Sequence, residues 1–559
     1  MAVRVSKEEP APPSSRRKSG YARPRKLKGI PKDMSLVRSA ATVGGMTMIS
    51  RVLGFVRDIL IAGFLGTGPV ADAFVAAFKF PNLFRRLFAE GAFNSAFVPL
   101  FAKRLEGEGR EAARRFAEEA LSVLLVTLFL LTIAAQVTMP WLMYVIAPGF
   151  AEDPEKFDMA VLFTRIAFPY LLFMSLAALL SGVLNSLNRF LAAAAAPILL
   201  NIILIAAMLG GAQFTANPGY VLSWGVSLAG IAQFIMLLWA AKRAGMALRL
   251  RAPKLTPGVR RLVKLGIPGF VSGGITHINL LIGGIIASFQ AGAVSWLYYA
   301  DRIYQLPLGV VGIAIGIVLL PDLSRRLRAE DEAGAMNVQN RAFEFAMLLT
   351  LPAALALAVI SEPIIKVLFE RGAFDAADTQ ATALALGAYA FGLPAFVLAK
   401  VFSPGFFARE DTVTPMRFAA ISIAVNIAGS LALFYLIGFV GIAIATTLSA
   451  WVNAGLLGFR LRQLGHFKAD ARLKKRLPLL LLASALMGGA LYGGSLLAAP
   501  YLTGLLPVKA AALAVLVAGG GLVFAGFCQI TGAMTWGEFR RGLTRKAPEP
   551  LAMPPEKGR

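Results

Sequence analysis

Long apolar runs separated by short polar clusters dominate the chain, and the runs have the length of bilayer spans. A membrane helix needs roughly 20 mostly apolar residues. Fourteen such stretches are predicted, at about 37–65, 70–101, 116–143, 159–185, 193–210, 219–241, 265–289, 294–322, 342–360, 378–407, 418–437, 441–458, 477–497 and 508–530. The fold class this implies is all-α and polytopic, with the bilayer setting the architecture.

The polar clusters between the runs alternate in charge. One set of loops holds 27 lysines and arginines, concentrated at 103–115, 242–264, 325–341 and 460–476. The other set holds four: Lys156, Lys366, Arg371 and Lys509. Basic loops face the cytoplasm, so both tails are expected there. The acidic loop around 152–158 and the 361–378 loop are expected outside.

Composition agrees. Hydrophobic residues make up 57% of the 559 residues and charged residues 16%, against about a quarter in soluble chains; mean hydropathy is +0.68. The net charge of +25 would suggest nucleic acid in a soluble protein. Here the charge sits in the loops, so a nucleic-acid partner is not expected and bilayer phospholipids are. Cys528 is the single cysteine, which excludes an internal disulfide. With His277 and His466 the only histidines, no metal site and no cofactor are expected. Residues 1–33 lack the apolar core of a signal peptide and are predicted to be a disordered basic tail.

The two halves echo each other. Asp72-Ala73-Phe74, Phe80-Pro81 and Val98-Pro99-Leu100 in span two recur as Asp301-Arg302-Ile303, Leu306-Pro307 and Leu320-Pro321-Asp322 in span eight. Asn201 in span five corresponds to Asn426 in span eleven. Six spans per repeat is an even number, so the repeats are parallel, related by a pseudo-two-fold axis along the membrane normal, with substrate between the lobes. The expected organisation is a basic tail (1–33), an N-lobe (34–243), a C-lobe (260–463), two extra helices (474–530) and a tail (531–559).

The chemistry lies in charges that lipid should exclude. Span one contains Arg51, Arg57 and Asp58; span two contains Asp72, Lys79, Arg85, Arg86 and Glu90; span eight adds Asp301 and Arg302 beside Tyr298 and Tyr299. Each costs about 2.5–3.5 kcal/mol at a helix centre, so these groups must pair with one another or line water. Some pairing that only fixes helix packing is expected, above all for the four acids. The cations outnumber the acids, however, and the planar guanidinium suits phosphate oxygens. A pyrophosphate is the natural ligand. Gly44-Gly45, Pro81, Gly273-Gly274, Gly283-Gly284, Pro307, Pro394 and Pro404 are candidates for hinges or for close helix packing.

Several segments resemble a known family. Ser50-Arg51-Val52-Leu53-Gly54-Phe55-Val56-Arg57-Asp58, Asp72-Ala73-Phe74, the stretch from Phe80-Pro81 through Arg85-Arg86 to Glu90-Gly91-Ala92-Phe93, Ala147-Pro148-Gly149-Phe150 and Ser295-Trp296-Leu297-Tyr298-Tyr299-Ala300-Asp301-Arg302 are similar to the MurJ (MviN) lipid II flippases. These belong to the multidrug/oligosaccharidyl-lipid/polysaccharide exporter superfamily. The resemblance spans residues 34–530. It implies two six-helix lobes plus two helices forming a groove for the lipid tail, alternating access, no enzymatic activity, a bacterial inner-membrane location, and lipid II as the substrate. It implies functional roles for Arg51, Arg57 and Arg302, with Asp72 and Arg85 as further matches and Asp58 paired to the second arginine. Components of the cell-wall elongation or division machinery are candidate partners of such a flippase. An O-antigen or exopolysaccharide repeat-unit flippase would share the pyrophosphate clamp. A drug or cation antiporter would need an acidic, aromatic cavity. A scaffold or receptor would not need the surplus of arginines, and no sodium-site constellation is evident.

Overall fold

The computed structural model describes residues 32–85, 93–211, 214–215, 217–534 and 537. Almost all of the expected basic tail lies outside these, as do Arg86, Glu90 and the side chains of Arg85 and His277.

Among the described residues every extended element is a helix, and the sole β-bridge joins Arg371 to Phe374. The first group comprises α1 (Lys32–Leu65), α2 (Pro69–Arg85), α3 (Phe93–Gly107), α4 (Arg110–Ile146), α5 (Pro154–Ala167), α6 (Pro169–Ser186), α7 (Phe190–Gly211) and α8 (Pro218–Arg243). The second comprises α9 (Pro257–Ala287), α10 (Ala293–Arg328), α11 (Glu332–Val359), α12 (Ser361–Phe369), α13 (Ala376–Ala390), α14 (Leu393–Phe407), α15 (Val413–Ile437) and α16 (Phe439–Gln463). Two more follow, α17 (Ala471–Ala498) and α18 (Leu506–Thr531), with α17 packed on α11 and α18 on α17.

Ten helical stretches are long and apolar enough to cross a membrane, by length and composition. The four other stretches predicted as spans are α1, α2–α3, α9 and α10, and three of these carry the displaced charges. Most helices overshoot the predicted spans at their basic ends: α4 begins at Arg110 and α10 runs to Arg328. Arginine, lysine and glutamate are good helix formers, so the helix continues past the point where apolarity stops.

Two predicted spans are broken by proline. α5 gives way to α6 at Phe168–Pro169, and α13 to α14 at Gly392, with Pro394 in the first turn of α14. Proline in a first turn needs no donor and has its φ preset. It restarts a helix without interrupting the apolar run, so hydropathy alone passes over the break. α12 is a further short helix inside what was expected to be a loop.

The two groups meet unevenly. At one end, which carries few cations, a single apolar cluster takes in residues of both groups, including Phe74, Phe150, Tyr299, Phe369 and Phe374. At the other, basic end, the apolar clusters among the described residues are separate, with Leu262 of α9 joining that of the first group. One is built on Phe97, Phe101 and Phe116 of the first group, the other on Leu323, Phe402 and Leu461 of the second. The chain is thus sealed across both groups at the sparse end.

Backbone joins the seal. Gly63 O accepts from Ala373 N at 2.8 Å, and Gly149 N donates to Ser288 Oγ at 3.0 Å. Gly66 and Gly372 face each other's strands of chain there with φ of 62° and 59°, and a Cβ on either would overlap a carbonyl oxygen across the seam. Glycine alone combines that conformation with that approach.

At the basic end the segment between α8 and α9 is clasped to α4. Buried Glu118 accepts from Arg249 N at 3.2 Å and Arg251 Nε at 2.5 Å, Ser122 Oγ accepts from Arg251 N, and Thr256 Oγ1 donates to Glu119. α9 then packs on α3 and α4 as well as on α15 and α16.

Candidate functional site

α1 and α10 cross where their charges lie, and one carboxylate serves both. Arg57 donates to Asp58 Oδ1 through Nε at 3.1 Å and Nη2 at 2.7 Å, and through Nη1 to Asn201 Oδ1 on α7 at 2.9 Å. Asn201 completes the bracket by donating to Ser50 O at 2.9 Å. From α10, Tyr298 donates its hydroxyl to Asp58 Oδ1 at 3.1 Å, and Arg302 Nε stands 3.8 Å from Oδ2. Arg57 and Asp58 are 7% and 3% exposed, so their charges survive burial only through these partners.

Tyr298 also organises the cations. The Arg302 guanidinium lies 4.6 Å from its ring centroid and the Lys79 ammonium of α2 lies 5.4 Å from it. Asp301 accepts from Gln305 one turn on. Among the described residues, Arg57, Arg302 and Lys79 against Asp58 and Asp301 leave one positive charge in excess, and Arg302 keeps its Nε without a hydrogen-bond partner.

Asp72 belongs to a different cluster, at the sparse end. It is fully buried and accepts from Lys156 Nζ at 2.7 Å, Gly292 N at 2.9 Å, Ser295 N at 3.0 Å and Ser295 Oγ at 2.7 Å. Three of these donors come from the start of α10, so Asp72 ties the two groups together where they are sealed. Charge-assisted hydrogen bonds of this kind contribute roughly 1.5–3 kcal/mol each. Lys156, expected as a loop charge, is only 5% exposed. Asp153 caps α5 by accepting from Lys156 N at 3.1 Å, and the lysine side chain reaches inward to Asp72. Nearby, Thr67 donates to Asp378 and Trp296 Nε1 donates to Thr67 Oγ1 at 2.9 Å.

Arg51 stands apart from the other two arginines. It lies six residues before Arg57, about 9 Å along the helix, toward the basic end. Its guanidinium rests on Gly309 of α10. Lys400 of α14 rests on Gly312, one turn along.

The six expected site residues therefore divide. Arg57, Asp58 and Arg302 come together, Arg51 lies on the basic side, Asp72 lies at the seal, and the Arg85 side chain is outside the described residues. Lys400 is absent from the sequence-based expectation. One lysine inside the apolar 378–407 run was the available signal. Among the described residues no group of His, Cys, Asp and Glu is placed to hold a metal ion.

The fold and site define a many-helix integral membrane protein with two helical groups that share a buried, cation-rich centre. The family model described as lipid II flippase MurJ matches residues 61–511. The chain is 49% identical over 535 residues to the probable lipid II flippase MurJ of Rhizobium tropici, covering 93% of this chain and 98% of that one. It is 55% identical over 463 residues to the probable lipid II flippase MurJ of Rhizobium meliloti (strain 1021), covering 82% and 86%. A solved structure of lipid II flippase MurJ in an inward closed conformation superposes with a TM-score of 0.73 at 25% identity, covering 90% of this chain and 99% of that one. The chain belongs to the lipid II flippase MurJ family.

Proposed function

We propose that this protein moves lipid II, a polyprenyl-pyrophosphate disaccharide-pentapeptide, from the cytoplasmic to the periplasmic leaflet by alternating access, with no covalent chemistry. The observation that carries the reading is Asp58 shared between Arg57 of α1 and Arg302 of α10. Asp58 stands between the two arginines at the position where an anionic headgroup would dock. A pyrophosphate displaces Asp58 from the two arginines, and its planar fit to guanidinium favours that exchange. Because the arginines come from opposite groups, binding and lobe position are linked.

The proposed architecture is fourteen spans in two six-helix lobes, residues 34–243 and 260–463, related by a pseudo-two-fold axis. Residues 474–530 form the groove for the lipid tail, and both tails, 1–33 and 531–559, are cytoplasmic. Matching helix neighbours support the repeat: α1 packs on α7 as α9 packs on α15, α2 on α5 as α10 on α13, and α6 on α8 as α14 on α16. Basic residues at one set of helix ends support the orientation. The sealed, sparse end is then periplasmic, and the state described is closed to the periplasm, with Asp72 as a latch.

Replacing Arg57 or Arg302 by alanine is expected to abolish growth in cells depleted of their native flippase, with the protein still present in the membrane. Full growth with both replaced sinks the reading. A repeat-unit flippase of another polysaccharide is separated by transport itself: lipid II must cross a vesicle bilayer only when this protein is present.

A further inference from the structure

The geometry points to a second anion subsite, made by Arg51 and Lys400 on the basic side of the Arg57–Asp58–Arg302 cluster, which takes a pyrophosphate before that cluster does. This inference rests on the proposed lipid-pyrophosphate substrate and adds to it a residue and an order of binding.

Two cations from opposite groups converge there on one stripe of α10. Arg51 reaches across from α1 to Gly309, and Lys400 from α14 to Gly312. Positions three apart on a helix lie on the same face, about 5–6 Å from one another. Gly309 is also seven residues from Arg302 and so continues the same stripe. The two positive groups are thus neighbours, and each is felt by the other: Arg51 acts on Lys400 as a like charge. No hydrogen bond or ion pair joins either of them to an acid among the described residues. Like charges brought together without a counter-ion repel.

Glycine at both positions leaves room for the two cationic groups against α10. A methyl group at Gly312 would come within 2.5 Å of Lys400 Nζ and 2.9 Å of its Cδ, and one at Gly309 would overlap Arg51 Nη1. Two cations from opposite groups thus lie against side-chain-free positions of α10 within a single turn.

The charge balance selects the ligand class. The inner cluster has already spent Asp58 on its arginines. The outer pair has no acidic partner among the described residues, and a pyrophosphate esterified at both ends keeps one ionised oxygen on each phosphorus. Two adjacent cations match two adjacent anionic oxygens better than they match one monophosphate or a lone carboxylate. The subsite also lies nearer the end where the apolar clusters of the two groups are separate, so an anion entering from that end meets Arg51 and Lys400 first. Bound there, it bridges the two groups as Asp58 does further in.

The test uses the full chain in lipid nanodiscs. Three probes are titrated: a water-soluble short-chain lipid II analogue, its monophosphate counterpart, and the free muramyl pentapeptide, which supplies carboxylates alone. Lys400→Gln and Gly312→Leu are each expected to weaken the pyrophosphate analogue about tenfold, and to weaken the monophosphate much less. Lys400→Arg is expected to bind near the wild-type level. Wild-type affinity for the pyrophosphate analogue in Lys400→Gln overturns the subsite, and so does a loss confined to the pentapeptide, which would make the pair a reader of carboxylates. If the unmodified protein binds none of the pyrophosphate analogue, the lipid-pyrophosphate reading itself fails. Unchanged melting of Lys400→Gln keeps a folding defect from mimicking the expected result.

Discussion

Arg302 approaches Asp58 from the opposite helical group at 3.8 Å and leaves its Nε unbonded, whereas Arg57 on the same helix as Asp58 grips it at 2.7 Å. The carboxylate is firmly held by one side and loosely by the other. In the proposed exchange, the loose side is the one a competing anion takes.

Removing the shared acid strands two cations. Asp58→Ala is expected to lower stability by about 3 kcal/mol, the scale for breaking a buried ion pair, and to abolish complementation. Thermal melting in detergent and growth of depleted cells check both parts. Asp58→Glu, which keeps the charge, should recover most of the stability.

The Asp72 latch makes a prediction about conformation. Asp72→Asn weakens the Lys156 pair and the bonds to Gly292 and Ser295. A loss of about 1.4 kcal/mol changes an equilibrium tenfold, so the open fraction at the sparse end should rise by about that factor. A cysteine placed at Ala373, beside Gly63 in the seal, should react faster with a membrane-impermeant thiol reagent in the Asn variant. Equal rates would remove Asp72 from the latch.

The glycine seam offers an independent check. Gly372→Ala adds a Cβ where φ is 59° and Gly63 O is in the way. The closed state should lose stability while an open state does not. The same cysteine assay should show greater reactivity, with protein levels unchanged.

Glu344 anchors the added helices. It accepts from Arg476 at 2.5 Å, from Arg472 at 3.1 Å and from Arg341, which also bonds Asp470. Arg472 and Arg476 lie on α17 and Glu344 on α11. Glu344→Ala is expected to reduce stability by roughly 3 kcal/mol and to loosen α17 from α11, read as faster amide exchange in 471–480.

One pH effect lies outside the helical spans. Burial, then the neighbouring Arg409, lowers the pKa of His466, with Glu332 opposing. Below about pH 6.5 the unfolded chain binds a proton there that the folded chain resists, so stability falls as the pH drops through that range. His466→Gln should flatten the melting temperature between pH 7 and pH 5.5.

Much of this molecule is legible in its sequence because the bilayer imposes length and apolarity on each span. The displaced charges stood out for the same reason, and Arg57, Asp58 and Arg302 meet. What pairs with Asp72 was not legible. Its partners Lys156 and Ser295 are 84 and 223 residues away, and Lys156 sits among acids in what looks like a loop. Lys400 escaped because a single lysine in a long apolar run looks tolerable by composition. Only the fold shows that it lies on a glycine beside Arg51.

The clasp of residues 249–256 on α4 has a mechanical consequence. A slack tether would let two bodies rotate independently. Here the connector is gripped before α9 begins, and α9 ends at Ser288, held against Gly149. The rod joining the two bodies is therefore pinned to the first of them at both ends, by the clasp on α4 and by the Ser288–Gly149 bond. If the two bodies rock as proposed, α9 cannot take up the motion as slack and works as a leaf spring between them.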